Sequence, residues 1–270
     1  MNHSFLFSFT MLLCFTSIKG MATSGCDVPS TTNHVHLSWS SSLQEKSALP
    51  PSYDILQIGL LDTYVNEGCW ASLVGGIARS EGLQKGFHLA GVANLYDSGS
   101  GFFVGGLGNR FSGQLNGVGI SLLGGGANSL DGAYFSGLVH DSSRVNGFCC
   151  GAINFCESGL NGFQLGGINF AMNATGLQIG GITATESATG CQIGIANINA
   201  SSFVGFQTAA INYNGNTEGL VAGIINLCDA TDGVQIGLFN SATEVHGVQI
   251  GLICHNTSGG WHSWLPFINW

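Results

Sequence analysis

The phrase G-V-Q-I-G-L occurs twice in this chain, at residues 233–238 and 247–252, fourteen residues apart. Similar units precede it at steps of 14 to 16 residues. A repeat of this period is typical of a tandem array, in which one unit cannot fold alone and stacked neighbours share a core. The clearer units begin at Gly147, Gly162, Gly176, Gly190, Gly205, Gly219, Gly233 and Gly247, and fainter ones at Ile55, Ala71, Gly86, Gly101, Gly117 and Gly132.

Positions within the unit, numbered from its first residue, carry distinct residue types. The second, fourth and seventh are mostly apolar, as at Val234, Ile236 and Phe239, while the fifth is small, as at Gly237. Apolar residues at positions 2 and 4 predict a strand with those side chains in the core. Between positions 4 and 7 the alternation changes parity, which predicts a bend at the small fifth residue.

Two amide residues also recur once per unit. Asparagine at the eighth position is found at Asn154, Asn169, Asn197, Asn212, Asn226 and Asn240, and glutamine at the third at Gln164, Gln178, Gln192, Gln207, Gln235 and Gln249. Identical amides at a fixed period suit stacked ladders, in which each side chain bonds its copy in the next coil. The alternative is a solvent-facing row of ligand groups for a glycan, and the glutamine row in particular could face outward.

The repeat predicts an all-β fold, a β-solenoid with coils of 14–16 residues, in which neighbouring units run parallel about 4.8 Å apart. An antiparallel transmembrane β-barrel is the alternative. Such a barrel alternates short turns with long loops and needs strands of about 9–11 alternating residues. The turn here keeps a constant size and the alternation breaks after the fourth or fifth position, which favours the solenoid.

The segments outside the array predict export and capping. Residues 1–25 read as a signal peptide, with an apolar core from Phe5 to Ile18. Cys26 follows this segment directly and is a candidate for lipidation. Residues 26–54 are expected to form a flexible leader or N-terminal cap, and residues 55–260 the repeat array. Residues 261–270 are expected to form a C-terminal cap whose aromatic residues are Trp261, Trp264, Phe267 and Trp270.

Charge is scarce and unevenly distributed. The net charge is −9, and no Lys or Arg follows Arg144. Because nucleic-acid binding depends on cations that neutralise phosphates, the sequence predicts no nucleic-acid partner. It also lacks a polybasic membrane-binding segment. The nine cysteines show no metal-ligand spacing, and most are expected to be small core residues, with one or two disulfides possible after export.

Motifs for catalysis are missing from the sequence. It contains no P-loop, G-x-S-x-G, H-E-x-x-H or G-x-G-x-x-G motif. The segment His140–Ser143 carries residue types of a catalytic triad, but sequence adjacency is not triad geometry. His34 and His36 lack a third metal ligand. One carboxylate per unit is too few for calcium, which takes six or more oxygen ligands. The sequence therefore predicts no enzyme, cofactor or metal site.

The units "GFQLGGIN", "GLQIGGIT" and "GVQIGLFN" and the closing "LPFINW" resemble a bacterial surface-repeat family known from spirochaetes and other host-associated bacteria. The resemblance is good over residues 147–260 and poor over 55–146. It implies an exported, surface-located repeat protein, and it implies no reaction, because members of that family generally lack an assigned activity.

The sequence therefore predicts an exported, non-enzymatic repeat protein that acts as an adhesin-like binding surface or as a structural scaffold. Its partner is unknown, and a host surface protein or glycan is a candidate. Association with the outer membrane is possible. The alternative function is that of an integral outer-membrane β-barrel with a pore or anchoring role.

Overall fold

The computed structural model describes residues 35–38, 56–64, 69–258 and 263–270. The chain forms a parallel β-solenoid of about 13 turns with coils of roughly 15 residues. At about 4.8 Å per coil, the array is roughly 60 Å long. The predicted fold class is confirmed. The predicted signal peptide, the lipidation candidate Cys26 and the His34 position lie outside the described residues.

Thirteen strands run through the described part of the chain, and two of them continue through several coils. In chain order they are β1 (Val35–Ser38), β2 (Leu56–Gly59), β3 (Asp62–Tyr64), β4 (Ala71–Val74), β5 (Ile77–Ala90), β6 (Ala93–Gly105), β7 (Gly108–Ser121), β8 (Gly124–Ser136), β9 (Val139–Cys150), β10 (Ile153–Ile193), β11 (Ala196–Val245), β12 (Val248–Asn256) and β13 (Trp264–Asn269).

Neighbouring coils are parallel and in register. Val234 pairs with Val248 and Gln235 with Gln249, and the same alignment links β5 through β11 in sequence order. Residues at one position of successive coils therefore stack into what we call a column, numbered from the first residue of the unit. Parallel pairing means that the antiparallel alternative is wrong for these coils.

Column 1 requires glycine in the coils from Gly86 to Gly233. From Gly86 to Gly233 the column-1 glycines have φ between +91° and +146°, a region that residues with a side chain rarely adopt. A Cβ added to Gly190 would lie 2.2 Å from the carbonyl oxygen of Gly176 in the preceding coil. The glycine that begins each unit thus allows the backbones of adjacent coils to approach closely.

The prediction that positions 2 and 4 face the core is wrong. Gln235 in column 3 is fully buried, whereas Ile236 in column 4 is 43% exposed. The reason lies in column 5, where a Cβ on Gly237 would come within 2.9 Å of Asn226 and Asn240 inside the coil. Because strand residues alternate, an inward column 5 makes column 3 inward too, and the apolar residues of columns 2 and 4 face outward.

The second unit begins one residue earlier than its sequence indicates. Ala71 pairs with Phe87, which is a column-2 residue, so column 1 at this level is Trp70 rather than Ala71. Val74 therefore occupies column 5, and the prediction of a small fifth residue in every unit fails there. Because this coil has Trp70 in place of the column-1 glycine, the sequence does not mark where its unit begins.

Single strands flank the array at both ends. In the segment predicted as a leader or cap, β1 pairs parallel with β2 and adds a rung to the first described coil. In the predicted aromatic cap, β13 pairs antiparallel with β12 and covers the edge of the last coil. The side chains of Trp264, Phe267 and Trp270 are more than half exposed, so the aromatic rings do not fill the open core.

Candidate functional site

The column-3 glutamines form a buried hydrogen-bonded ladder. Gln178 donates from Nε2 to Oε1 of Gln164 at 2.8 Å, and Gln192 donates to Gln178 at 2.7 Å. Gln207 continues the series with a 3.1 Å bond to Gln192. Val221 interrupts the column, and beyond it Gln249 donates to Gln235 at 2.8 Å. In each of these bonds the acceptor lies in the coil that precedes the donor's coil.

The column-8 asparagines form a second ladder with the opposite direction. Asn154 donates to Asn169, and Asn212 to Asn226, each from Nδ2 to Oδ1 at 2.8 Å. Thr183 replaces asparagine in one coil and donates its hydroxyl to Asn197 at 2.7 Å.

Most of these asparagines also fix the bend of the next coil. Asn226 donates to the main-chain carbonyl of Ile236 at 2.9 Å, and Asn240 to that of Ile250 at the same distance. These carbonyls belong to column 4, immediately before the bend at column 5. The asparagine side chains therefore give these backbone acceptors a hydrogen bond from inside the coil at the point where the chain bends.

Columns 3 and 10 face each other across the core of one coil. Asn199 and Gln192 exchange two hydrogen bonds of 2.9 and 3.1 Å, and Asn214 donates to Gln207 at 2.8 Å. Asn199 also donates to Asn214 at 2.6 Å. The interior of these coils is thus a connected amide network, of the kind in which each buried polar group needs its partner.

The sequence-predicted amide rows therefore lie inside the solenoid. All twelve predicted site residues are 0–1% exposed, so none presents its amide to solvent. A glycan-binding row requires accessible amides, and these residues do not supply them. The interior position of the glutamines could have been inferred from the small fifth residue, which shares their parity along the strand.

What the coils present to solvent is an apolar surface, made of the outward residues of columns 2, 4, 6, 7 and 9. Ile195 and Leu238, both in column 6 at the bend, are 69% and 55% exposed. Ile250 in column 4 and Tyr213 in column 9 are also exposed. In coils 147–256 these columns contain no Asp, Glu, Lys or Arg. Contiguous exposed apolar areas beyond a few hundred Å² are uncommon on soluble proteins and mark contact sites.

The carboxylates of the same coils all lie in the remaining stretch of the unit, columns 11 to 14. They are Glu157, Glu186, Glu218, Asp229, Asp232 and Glu244, and all are exposed. In the part of the chain that the structure describes, no three His, Cys, Asp or Glu side chains are grouped so that they could hold a metal ion. The carboxylates of these coils thus occupy a different stretch of the unit from the apolar columns.

Two buried histidines belong to the earlier coils. His88 stacks on Phe103 with ring centroids 4.9 Å apart, and its Nδ1 lies 2.7 Å from the hydroxyl of Ser72. Burial lowers the pKa of His88 to about 4, against a smaller opposing effect of the Lys85 carbonyl. Burial, helped by the Arg110 charge, lowers the pKa of His140 to about 3.

The segment His140–Ser143 is not a catalytic triad. Neither ring nitrogen of His140 has a hydrogen-bond partner, so the imidazole is hydrogen-bonded to no serine or aspartate. Asp141 instead forms an exposed ion pair with Arg110 at 3.2 Å. The buried hydroxyl of Ser142 accepts from the amide of Ala127. These side chains therefore lack the nucleophile–base contact of a hydrolase.

Comparison with known proteins finds no matching family model, no matching curated protein and no matching solved structure. Within the described residues, no helix has the length and apolar character needed to cross a membrane. The candidate functional site therefore rests on the chain's own geometry, which is an uncharged apolar surface on a rigid, hydrogen-bonded core.

Proposed function

We propose that this protein is an exported, non-catalytic scaffold that attaches to a lipid surface through its apolar surface. The observation that carries the proposal is the separation of residue types on the outside of each coil. Columns 2, 4, 6, 7 and 9 are mostly apolar, and every carboxylate after Arg144 lies in columns 11 to 14. The resemblance to surface-repeat proteins supports export, and the signal-like residues 1–25 agree with it.

The backbone is suited to contact with lipid. Amide and carbonyl groups on a lipid-facing surface must be hydrogen-bonded within the protein, because hydrocarbon offers no partner. In this fold the groups of columns 2–4 and 7–9 pair with the coils above and below, as in the register of Ile182 with Ala196 and Cys191 with Phe206. The apolar surface can therefore meet an apolar phase without leaving backbone groups unpaired.

The shape of the apolar surface favours a fluid partner over a rigid one. It continues around the bend at column 6, where Ile195 and Leu238 are among its most exposed residues. A flat partner would cover the apolar columns on one side of the bend and leave those on the other side exposed. Acyl chains can follow both sides, while the acidic columns stay in water. Burial of apolar area then provides the binding energy without basic residues.

Vesicle flotation tests this proposal. The processed chain, residues 26–270, carrying Cys26→Ser to exclude a lipid anchor, is mixed with neutral phosphatidylcholine vesicles and centrifuged through a density gradient. We expect the protein to float with the vesicles. Ile195→Asp together with Leu238→Asp should abolish flotation, because two carboxylates would be placed within the apolar surface.

The matched control places the same two charges on the acidic side of the same coils. Ser201→Asp with Thr243→Asp changes exposed residues and should leave flotation unaltered. Failure of the wild-type protein to float would overturn the proposal. If the wild-type protein instead forms dimers or larger assemblies that the Ile195→Asp, Leu238→Asp variant does not form, the apolar surface is a contact between copies.

A further inference from the structure

Two cysteines of one coil lie on opposite sides of its core. Cys149 occupies column 3 and Cys156 column 10, and both are buried. The neighbouring Cys156 side chain is the largest cause of the raised pKa of the Cys149 thiol, and both are free cysteines. Cys150, between them in sequence, lies in column 4 and is partly exposed. Cys149 and Cys156 therefore point into the core, whereas Cys150 points outward because strand residues alternate.

The facing arrangement is a property of the columns and not of the thiols alone. Seven residues also separate Gln192 from Asn199 and Gln207 from Asn214, and each of these pairs is joined by side-chain hydrogen bonds across the core. In the coil that begins at Gly147, the same two positions hold cysteines. A covalent bond there would take the place of the amide contact that links these columns elsewhere.

This coil lies where the continuous glutamine and asparagine ladders begin, and its core is short of polar partners. Asn154 in the same coil has an unpartnered Oδ1, and both ring nitrogens of His140 in the preceding coil are unpartnered. Gln164 in the next coil reaches Cys156 only through a 4.0 Å contact to sulfur. Side-chain hydrogen bonding across the core is therefore sparse at this junction.

We propose that Cys149 and Cys156 form a disulfide that links the two sides of this coil. The oxidant is a low-molecular-weight disulfide, RSSR, or a protein disulfide of the same chemistry. One cysteine thiolate attacks RSSR, forming a mixed disulfide and releasing one RS⁻. The second cysteine thiolate attacks the protein sulfur of that mixed disulfide and releases the second RS⁻. Two electrons pass to RSSR, and the two thiol protons leave with the products as two RSH.

The bond forms before the coil closes. In the folded chain both sulfurs are buried, and the hydrogen bond with Cys156, together with burial, raises the pKa of the Cys149 thiol well above its usual range. Thiolates attack disulfides, so the folded thiols are unreactive. Oxidation therefore accompanies folding, after which the same burial protects the bond from external thiols. This inference does not depend on the proposed attachment to lipid.

Oxidative refolding of the wild-type chain tests the inference. Protein reduced in denaturant is refolded with a mixture of reduced and oxidised glutathione, free thiols are alkylated, and the chain is cleaved after Arg144 and Glu157. We expect the peptide of residues 145–157 to carry one alkyl group, on Cys150, and to be lighter by two hydrogens because Cys149 and Cys156 are joined. Three alkylated cysteines, or a bond that includes Cys150, would overturn the inference.

Single substitutions show which two of the three cysteines form the disulfide. Cys150→Ser should leave the disulfide in place, and Cys149→Ser or Cys156→Ser should remove it. The oxidised wild-type chain should also melt at a temperature higher than its reduced form, by on the order of 5 °C. Cys150→Ser should show the same difference. Should a variant fail to fold by circular dichroism, the peptide result on wild-type protein still decides.

Discussion

The coils before and after Gly147 share one backbone and differ in what fills it. In the earlier coils the core is largely aromatic: Phe103 packs edge-on against Phe111 with centroids 4.9 Å apart, and Tyr96 packs on both rings. In the later coils the column of Phe103 instead holds Gln164, Gln178 and their copies in a hydrogen-bonded ladder. The coil geometry therefore does not depend on one kind of core, because the backbone pairing and the column-1 glycines are common to both halves.

The two fillings stabilise the fold by different means. Aromatic side chains gain from removal of apolar area and from close packing. Buried amides gain little net energy from each hydrogen bond, but a partner left without its bond costs about 1–3 kcal/mol. The earlier coils should therefore be sensitive to lost volume, and the later coils to any break in the chain of donors and acceptors.

The largest effect is expected from Phe103→Ala in the aromatic half. Phe103 is fully buried between His88 and Phe111, so truncation leaves a cavity that the stacked coils cannot close. We expect a loss of about 3–5 kcal/mol in the free energy of unfolding. Denaturant titration followed by circular dichroism measures it. A loss below about 1 kcal/mol would show that this half does not depend on its aromatic core.

Acid should next distinguish the two halves, because His88 and His140 both belong to the earlier coils. Their pKa values in the folded chain, about 4 and about 3, lie below the ordinary value of 6.5. As the pH falls, these histidines therefore become protonated at a higher pH in the unfolded chain than in the folded chain. The stability due to neutral histidine is complete above pH 6.5 and decreases as the pH falls toward these folded values. Each histidine should contribute a loss of about 1.4 kcal/mol per pH unit within that window.

Replacing these histidines by the amides of their own columns provides the comparison. The double variant His88→Gln, His140→Asn should lose less stability than the wild-type chain between pH 6.5 and 5.5, by about 2 kcal/mol in total. Thermal unfolding at several pH values measures the difference. Equal pH dependence in the two proteins would mean that other groups control acid sensitivity.

A smaller effect is expected from Gln192→Ala in the amide half. This side chain donates to Gln178 and is bonded to both Asn199 and Gln207. Its removal leaves these neighbours without partners, and we expect a loss of about 1–3 kcal/mol. Gln114→Ala, a substitution of the same type at an exposed glutamine of the earlier half, should change stability by less than about 0.5 kcal/mol. Equal effects at the two sites would contradict the ladder's role.

The smallest effect should be a gain. Val221 interrupts the glutamine ladder between Gln207 and Gln235 and is fully buried. Val221→Gln places an amide within reach of both and should stabilise the chain by up to about 1 kcal/mol. Val221→Ala is the control, since it removes volume without adding an amide. A destabilised glutamine variant would show that this coil is too narrow for a continuous ladder.

The repeat predicted the coil length, the parallel stacking and the amide columns as far as sequence alone can. It could not assign the inside of the strand, because hydropathy places Ile236 in the core ahead of Gln235. Two observations reverse that order: the fifth residue must be small to approach Asn226 and Asn240, and it shares its parity with the glutamine. The unit at Ala71 was misplaced because Trp70 stands where other units have glycine.

The candidate site is harder to predict from the sequence than the fold. The sequence singles out the amides, which are interior, and indicates no function for the outward residues Ile195 and Leu238. A run of aliphatic residues is ordinarily taken as core, and only the observed burial shows that these columns lie outside. The pairing of Cys149 with Cys156 also depends on the three-dimensional fold, because the seven-residue separation becomes a contact only when columns 3 and 10 face each other.

The opposite directions of the two side-chain ladders bear on how long such a protein can grow. A single stack of amides pointing one way would add its dipoles along the axis and accumulate partial charge at both ends, as the peptide units of a helix do. Here the glutamine stack points toward one terminus and the asparagine stack toward the other, so their fields largely cancel. Coils can then be added by duplication or lost by deletion without an electrostatic penalty that increases with length.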